Sequence, residues 1–247
     1  MQTFDHFILT GASRGLGRAM AQQLRARGVR LLTLSRQPDA ALNGPDTEQW
    51  AVDLSQPAEA AVRLAAWVSA LPRREIRSLN LINNAAGLAP LAPLGEVDAD
   101  ELSRALRVGL EAPMLLTAAF LGSSADLGVP RKVLNISSGL GRFAMAGSAV
   151  YCAAKAGLDH LSRAVALEEA ARPHGAKIVS LAPGVIDTDM QLQLRSADPQ
   201  AFGERARFAS LKAEGRLDSA EAAAAKVLAW LDRPDFGANP IGDVREA

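Results

Sequence analysis

The amino-acid sequence predicts an α/β fold in which a doubly wound, mainly parallel sheet of about seven strands is flanked by helices. Short apolar runs recur along the chain and alternate with helix-length segments rich in Ala, Leu and Arg. Runs that are apolar on both faces are typical of parallel strands covered by helices. No internal repeat and no linker rich in Gly, Pro or Ser divides the chain, so residues 1–247 are predicted to form one domain.

Six of the strands are placed by these runs, which read HFILTG, VRLLTLSR, WAVDLS, LNLINNAAG, KVLNISSG and AKIVSLAPG in chain order. The helices between them carry boundary signals: Gly28 follows one, Pro57 opens the next, and Asp98 precedes a third. Residues 189–215 break the rhythm between the last run and the final helix. An insertion at that place predicts a substrate lid over the carboxyl ends of the strands.

Composition narrows the function classes. Lys plus Arg and Asp plus Glu number 27 each, so nothing predicts binding to nucleic acid or a membrane, and a small-molecule substrate is favoured. The single cysteine and three histidines exclude an intramolecular disulfide and argue against a metal site. We expect a cytoplasmic protein, because the first strand leaves no room for a signal peptide and the apolar run from Ala112 is too short to span a bilayer.

The first strand runs into TGASRGLG, residues 10–17, which a helix follows. Glycines at 11, 15 and 17 permit a tight turn and let a pyrophosphate approach the backbone at the N-terminus of that helix. A glycine triplet alone is a weak signal. The strand before it and the helix after it make dinucleotide binding the favoured interpretation.

The residue after the second strand discriminates between nicotinamide cofactors, because an acidic side chain accepts from a ribose hydroxyl and a basic one pairs with a 2′-phosphate. Here the positions are Ser35 and Arg36, and Arg14 in the glycine turn supplies a second guanidinium. NADP(H) is therefore predicted, with two solvated surface arginines as the alternative. Asp53 is predicted to accept from the adenine amino group or to cap the following helix.

Tyr151 is the only tyrosine in the chain, and Lys155 follows it at the i, i+4 spacing that shares one helix face. An ammonium near the phenol is expected to lower its pKa, and a tuned phenol can protonate a carbonyl oxygen as hydride arrives. Ser137 and Ser138 end the fifth strand at the same edge of the sheet. The alternative is a partly buried tyrosine beside a lysine whose stem packs on apolar surface.

Together these residues resemble the short-chain dehydrogenase/reductases, which have a Rossmann-type fold. The resemblance covers nearly the whole chain: TGxxxGxG at 10–17, NNAAG at 83–87, Ser138, YxxxK at 151–155, and Pro183-Gly184 with Thr188. It implies that Ser138 positions the carbonyl, Tyr151 is the general acid, and Lys155 holds the nicotinamide ribose. The predicted NADP(H)-binding residues are Gly11, Ser13, Arg14, Gly15, Leu16, Gly17, Ser35, Arg36, Asp53, Leu54, Asn84, Ala85, Ala86, Gly87, Tyr151, Lys155, Pro183, Gly184, Ile186, Thr188 and Met190.

The segments LINNAAGLAPLAPLG and APGVIDTDMQLQLRS resemble the sepiapterin reductase branch, which includes bacterial relatives that reduce one carbonyl of benzil. That resemblance implies an NADPH-dependent reductase of a ketone or of one carbonyl of an aromatic 1,2-diketone, with a pterin reductase as the alternative. Ser138, Tyr151, Met190 and Asp243 are the predicted substrate residues, although a solvated aspartate near the C-terminus is the favoured interpretation of Asp243. Apolar residues of the lid are predicted pocket walls: Met190, Leu192, Leu194, Phe202, Phe208 and Leu211.

One position departs from the family pattern. The family has a catalytic asparagine where this chain has Gly109, in RVGLEAPMLL. That asparagine bends a helix and holds a water that links the lysine to solvent, and glycine supplies only the bend. A non-catalytic NADP(H)-binding sensor is therefore a further alternative. The resemblance also implies a homodimer or homotetramer, for which the apolar helix from Ala112 is a candidate contact, although core burial explains that helix equally well.

Overall fold

The computed structural model describes residues 2–246, which form a seven-stranded sheet in which every neighbouring pair is parallel. The predicted doubly wound sheet is confirmed. The strands run in the order β3-β2-β1-β4-β5-β6-β7, so the direction of winding reverses between β1 and β4. Such a switch point leaves a crevice at the carboxyl ends of the strands, where ligands bind. The strands are β1 Phe4–Thr10, β2 Arg30–Ser35, β3 Thr47–Ala51, β4 Ile76–Asn83, β5 Arg131–Ile136, β6 Lys177–Ala182 and β7 Ile241–Asp243.

The helices lie where the sequence predicts them. They are α1 Gly15–Ala26, α2 Pro57–Ala70, α3 Ala99–Leu106, α4 Ala112–Ser124, α5 Ala149–Ala170, α6 Asp189–Ser196, α7 Arg205–Ala213 and α8 Ala220–Leu231. All three boundary signals are confirmed. Gly28 has φ +71° just beyond α1, Pro57 is the first residue of α2, and Asp98 caps α3 by accepting from Asp100 N at 2.9 Å.

Two apolar cores cover the faces of the sheet. On one face α1 and α8 pack together over β1 and β6 through residues such as Met20 and Val227. On the other face α2 and α4 pack over β4 and β5 through Leu64 and Phe120, with α5 beside them. Both faces are therefore covered, which explains why most of the strands read as continuous apolar runs.

The chain from Ala99 to Ser124 is one continuous helical stretch, in which a π-helical turn at Arg107–Glu111 joins α3 to α4. By length and hydropathy alone this stretch could cross a membrane, unlike the shorter apolar run considered above. Ala112, Leu116 and Phe120 are fully buried against the sheet. Packing in the core of the domain therefore accounts for part of the apolar composition of this stretch.

Two strands differ from the sequence-based expectation. β3 begins at Thr47 and ends at Ala51, because it is an edge strand in which only Trp50 is buried rather than a doubly covered one, and Asp53 lies beyond its end. β7 was counted among about seven strands but not located. It has only three residues and pairs with β6 from Ser180 to Ala182.

Candidate active site

The glycine turn after β1 has the predicted geometry. Gly11 and Gly15 have φ of +72° and +52°, a region that side chains disfavour. A β-carbon at Gly17 would lie 2.1 Å from the carbonyl oxygen of Gly11. The turn therefore requires glycine at 11 and 15 for its backbone and at 17 for close packing between the helix and the strand.

The N-terminus of α1 fits an anionic group. Within residues 2–246 no side chain caps this helix, and its first turn contains no acidic residue, so its leading N–H groups are free to receive a phosphate. Thr188 lies over the turn, because a β-carbon on Gly15 would be 3.3 Å from Thr188 Cγ2. The loop after β6 is thus the opposite wall of the predicted cofactor cleft.

The end of β4 is bonded to the same turn. Asn84 Nδ2 donates to the carbonyls of Thr10 and Gly11 at 3.0 and 3.2 Å, and Thr10 Oγ1 accepts from the backbone N–H groups of Asn84 and Ala85, both at 2.9 Å. The NNAAG segment therefore forms one side of the crevice, as the resemblance implies. Asn84 therefore contributes to the crevice by stabilising the glycine turn.

The residues predicted to select the cofactor lie at one edge of this crevice. Arg36 is exposed, and its charge contributes to the lowered pKa of Asp53, although the Ser55 backbone N–H is the main cause. Arg14 is also exposed and pairs with Asp189, the first residue of α6, at 3.1 Å. Both guanidiniums are therefore accessible to a 2′-phosphate.

Four predicted cofactor residues contribute structure through their side chains. Ser35 Oγ is buried and accepts from Ala12 N at 2.9 Å, so it supports the glycine turn. Leu16 and Leu54 pack in the two cores. Asp53 accepts from Ser55 N at 2.9 Å in the turn before α2 and does not cap the helix itself. The other predicted residues border the crevice, at the ends of β1, β4 and β6 and the start of α6: Ser13, Ala86, Gly87, Pro183, Gly184, Ile186 and Met190.

The predicted catalytic residues meet at the carboxyl ends of β5 and β6. Tyr151 and Lys155 lie in the first two turns of α5, with Lys155 Nζ 5.6 Å from the centre of the tyrosine ring. Lys155 Nζ donates to the carbonyl of Ile136, the last residue of β5, at 2.7 Å. Ser138 follows two residues later and caps a short 3-10 turn, Gly139–Gly141, through its hydroxyl.

The electrostatics of the pair differ from the sequence-based expectation. Burial raises the pKa of Tyr151 to about 12, and the neighbouring Ser138 hydroxyl opposes that rise. Burial also lowers the pKa of Lys155 to about 8, against the pull of the Asp159 carboxylate. The predicted lowering of the phenol pKa by Lys155 is therefore wrong for this structure, because desolvation outweighs it. A raised pKa keeps the phenol protonated at neutral pH, as a general acid requires.

Sequence reasoning missed a buried polar cluster directly behind these residues. Asp159, one turn after Lys155 on α5, is 2% exposed and accepts from the hydroxyls of Ser137 at 2.5 Å and Ser180 at 2.7 Å. Its second oxygen lies 3.3 Å from Arg142 Nε. The signal available in the sequence was the spacing, since residues 151, 155 and 159 repeat every four positions on one helix face.

The interpretation of Asp243 as a solvated aspartate is wrong, because the residue is buried. Its carboxylate is 3% exposed, accepts from Arg245 Nε at 2.8 Å and lies 3.8 Å from Arg142 Nη1. Arg245 lowers its pKa further, so the group stays ionised. The Asp243 carboxylate, which was predicted to hold a substrate, is therefore already paired with these two guanidiniums.

Gly109 is buried in the π-helical turn, which is the bend that the family pattern implies. A β-carbon there would lie 3.1 Å from Ala154 Cβ, on the turn of α5 that carries Lys155. The helix bend therefore brings α5 and the π-helical turn closer than two larger side chains would allow.

The lid segment forms α6 and α7. Leu194 and Phe202 are buried in a third apolar cluster with Met145, and Phe208 stacks on Phe202 at 5.9 Å. These residues close the lid onto the body, whereas Leu192 is 57% exposed. A recess beside Tyr151 is formed by other residues, mainly apolar: Leu88, Ala89, Pro90, Leu91, Ala92, Leu94, Val97, Gly147, Ser148, Ala149 and Val150.

The chain is similar to known reductases in sequence and in structure. It is 33% identical to a benzil reductase ((S)-benzoin forming) of Bacillus cereus, over 97% of each chain, and 36% identical to the sepiapterin reductase of Meriones unguiculatus, over 93% of this chain and 92% of the relative. The solved structure of the KRED1-Pglu enzyme superposes with a TM-score of 0.80 at 25% identity, over 96% of this chain and 99% of that one.

A family model described as "short chain dehydrogenase" matches residues 5–199, a range that includes the glycine turn, Ser138, Tyr151, Lys155 and the loop after β6. The same family is indicated by the fold, by the placement of these residues in one crevice and by the relatives. The chain therefore belongs to the short-chain dehydrogenase/reductase family of oxidoreductases.

Proposed function

We propose that this chain is an NADPH-dependent carbonyl reductase that converts a ketone, and in particular one carbonyl of an aromatic 1,2-diketone such as benzil, to the alcohol. The observation that carries the proposal is the position of Ser138, Tyr151 and Lys155 between an anion-binding glycine turn and a mainly apolar recess. The relatives that reduce benzil support the same substrate class.

In this reaction the nicotinamide supplies the hydride when it is bound. The Ser138 hydroxyl orients the substrate oxygen, and the Tyr151 phenol donates its proton to that oxygen as negative charge develops. A phenol with a pKa of about 12 holds its proton until an alkoxide forms. Lys155, charged below about pH 8, stabilises the phenolate that remains.

Two accessible guanidiniums support NADPH rather than NADH. Arg36 follows β2, where a carboxylate would select a ribose hydroxyl, and Arg14 lies in the glycine turn. Neither is buried, so each can reorient toward a 2′-phosphate. Two charge-assisted contacts of roughly 1.5–3 kcal/mol each predict a preference for NADPH on the order of 10² or more.

The recess beside Tyr151 supports an aromatic diketone. Its walls are mainly apolar, and the Ser148 hydroxyl among them is buried and has no hydrogen-bond partner within residues 2–246. Ser148 precedes Tyr151 by three positions, nearly one helical turn, so its hydroxyl can satisfy the second oxygen of a vicinal dicarbonyl. A pterin is the alternative, because the sepiapterin reductase of Meriones unguiculatus is 36% identical to this chain. The sequestered Asp243 carboxylate argues against it.

A non-catalytic NADP(H)-binding sensor is the other class to be tested. Gly109 favours it, since no amide is present there to hold a water near Lys155. The intact Ser138, Tyr151 and Lys155 favour catalysis, because a protein that only binds the cofactor does not need a general acid.

The deciding experiment is steady-state oxidation of NADPH and, separately, NADH with benzil, sepiapterin, a quinone, an aromatic monoketone and secondary alcohols. We expect benzil to be reduced to the hydroxyketone with NADPH preferred. Ser148→Ala should raise KM for benzil and leave KM for the monoketone unchanged. Turnover of simple alcohols or sugars alone would refute the substrate assignment, and NADPH binding without any turnover would establish the sensor.

We also propose that the protein is cytoplasmic and assembles as a homodimer or homotetramer. The lone cysteine and a reaction that consumes NADPH fit a reducing compartment. Met114 on α4 and Leu167 on α5 are 43% and 75% exposed. Light scattering of the purified protein, repeated with Leu167→Glu, tests whether that apolar face joins two copies.

A further inference from the structure

The Asp159 carboxylate contacts the elements that carry the catalytic residues. It lies on α5 one turn after Lys155, accepts from Ser137 next to Ser138, and accepts from Ser180 on β6, the strand that leads to the Pro183-Gly184 loop. One buried carboxylate therefore connects the catalytic helix, the segment that carries Ser138 and the strand before the Pro183-Gly184 loop.

Arg142 extends this cluster to the end of the sheet. It follows the 3-10 turn that begins at Ser138, and its Nε lies 3.3 Å from Asp159 Oδ2. Its Nη2 donates to the carbonyl of Gly242 in β7 at 2.9 Å, and its Nη1 lies 3.8 Å from Asp243. One guanidinium therefore lies between two buried carboxylates and connects the Ser138 turn to β7 by a hydrogen bond and to α5 by an ion pair.

The packing leaves no room for the turn to shift toward the helix. A β-carbon on Gly141 would lie 2.9 Å from Asp159 Oδ2 and 3.0 Å from the carbonyl oxygen of Lys155. Only glycine allows this approach, so the spacing between the Ser138 turn and the catalytic helix is set at the Asp159 carboxylate. The same carboxylate also opposes the loss of the Lys155 proton.

We propose that Asp159 is a positioning residue, which holds the Ser138 turn at a fixed distance from Tyr151 and Lys155 and so aligns the hydroxyl that orients the carbonyl with the phenol that protonates it. This inference rests on the proposed carbonyl reductase activity. It assigns no contact with substrate or cofactor to Asp159, so the expected defect is in kcat and not in binding.

The test compares Asp159→Asn with Glu169→Gln. Glu169 is a matched control, because it lies on the same helix, is 3% exposed and pairs with Arg131 at 3.3 Å far from Tyr151. A displacement of about 1 Å can lower turnover on the order of 10²-fold, so Asp159→Asn should lower kcat with benzil by 10-fold to 100-fold. KM and the Kd for NADPH should stay within about twofold of wild type, as expected for interactions made only in the transition state. Glu169→Gln should leave kcat unchanged.

A second readout does not need turnover. Hydrogen exchange measured by mass spectrometry should be faster over residues 138–143 in Asp159→Asn than in wild type or Glu169→Gln. Arg142→Gln should reproduce both defects if Asp159→Asn does not fold, and Arg142→Lys should restore part of kcat.

The outcomes separate the two proposals. A wild type that reduces no carbonyl contradicts the proposed function, and hydrogen exchange still decides the role of Asp159. An active wild type whose Asp159→Asn variant has normal kcat and normal exchange overturns the positioning role. Equal losses of kcat in Asp159→Asn and Glu169→Gln would also overturn it, because they would show only a general loss of stability.

Discussion

The substitution Gly109→Asn tests how closely the π-helical turn packs against the catalytic helix. Family members have asparagine at this position, so restoring it would be expected to improve proton supply to Lys155. The structure predicts a different first result. The new β-carbon would lie 3.1 Å from Ala154 Cβ, whereas carbon atoms pack best at about 3.5–4.0 Å, and Gly109 is buried.

The size of the effect follows from this contact. Inserting extra atoms into a packed core typically costs about 1–3 kcal/mol of unfolding free energy. In a chain of this length each kcal/mol corresponds to about 2–4 °C in Tm, so Gly109→Asn should lower Tm by about 2–12 °C. Since Ala154 immediately precedes Lys155, the displacement of α5 should also lower kcat.

Ala154→Gly supplies the matched partner for a double-mutant cycle. Alone it should cost about 1 kcal/mol, because glycine is unfavourable within a helix. Combined with Gly109→Asn it removes the facing methyl group, so the double variant should be more stable than the sum of the single effects by at least about 0.5 kcal/mol. We expect its kcat to equal or exceed that of wild type, with KM and NADPH affinity unchanged.

Thermal unfolding of the four proteins and steady-state kinetics in light and heavy water measure these quantities. Additive free energies would refute the reasoning, because residues in contact must couple. A Gly109→Asn variant with the Tm and kcat of wild type would show that α5 accommodates the side chain. An inactive double variant with normal stability would show that proton supply does not run past position 109 in this protein.

The remaining predictions concern the acid, the lysine and the cofactor clamp. Tyr151→Phe should keep its affinity for NADPH in a fluorescence titration and lose about 10²–10⁴-fold in kcat, because the proton is needed only in the transition state and no second tyrosine exists; retained turnover would assign the acid elsewhere. Since the pKa of Lys155 is lowered to about 8, its charge is present below that pH and lost above it, so kcat/KM should fall in the alkaline range of a pH series and stay level below about pH 7. Arg36→Asp should abolish the preference for NADPH over NADH, measured as a ratio of kcat/KM values, while Arg36→Lys keeps most of it; equal use of both cofactors by wild type would contradict the clamp.

Most of the fold could be predicted because its signals are local. Six strands read as apolar runs, and Gly28, Pro57 and Asp98 mark helix ends through backbone chemistry that depends on one or two residues. β7 could not be located, because its three residues carry no periodicity and its pairing with β6 is decided by tertiary contacts. The glycine turn was also predictable from local sequence, because two glycines of the motif, Gly11 and Gly15, are the residues that adopt its unusual backbone conformation.

The chemistry of the site was predictable in its residues but not in its electrostatics. The spacing of Tyr151 and Lys155 places both on one helix face, yet the direction of each pKa shift depends on burial, which no spacing reveals. Asp243 was interpreted as a substrate contact or a solvated group, and the structure buries it between Arg245, two residues later, and Arg142 from a distant part of the chain. Buried ion pairs of this kind are set by the tertiary fold.

Glycines at three positions allow neighbouring elements to pack closely around the catalytic helix α5. A β-carbon on Gly109 would lie 3.1 Å from Ala154, one on Gly141 would lie 3.0 Å from the carbonyl oxygen of Lys155, and one on Gly157 would lie 2.9 Å from Leu110. These contacts enclose the second turn of α5, where Lys155 lies. Close packing of the neighbouring elements therefore fixes the position of the lysine, so a chain without the family's asparagine can still hold Lys155 at the active site. The absence of the asparagine side chain therefore does not by itself imply loss of activity, and the Gly109 and Ala154 variants test the two effects separately.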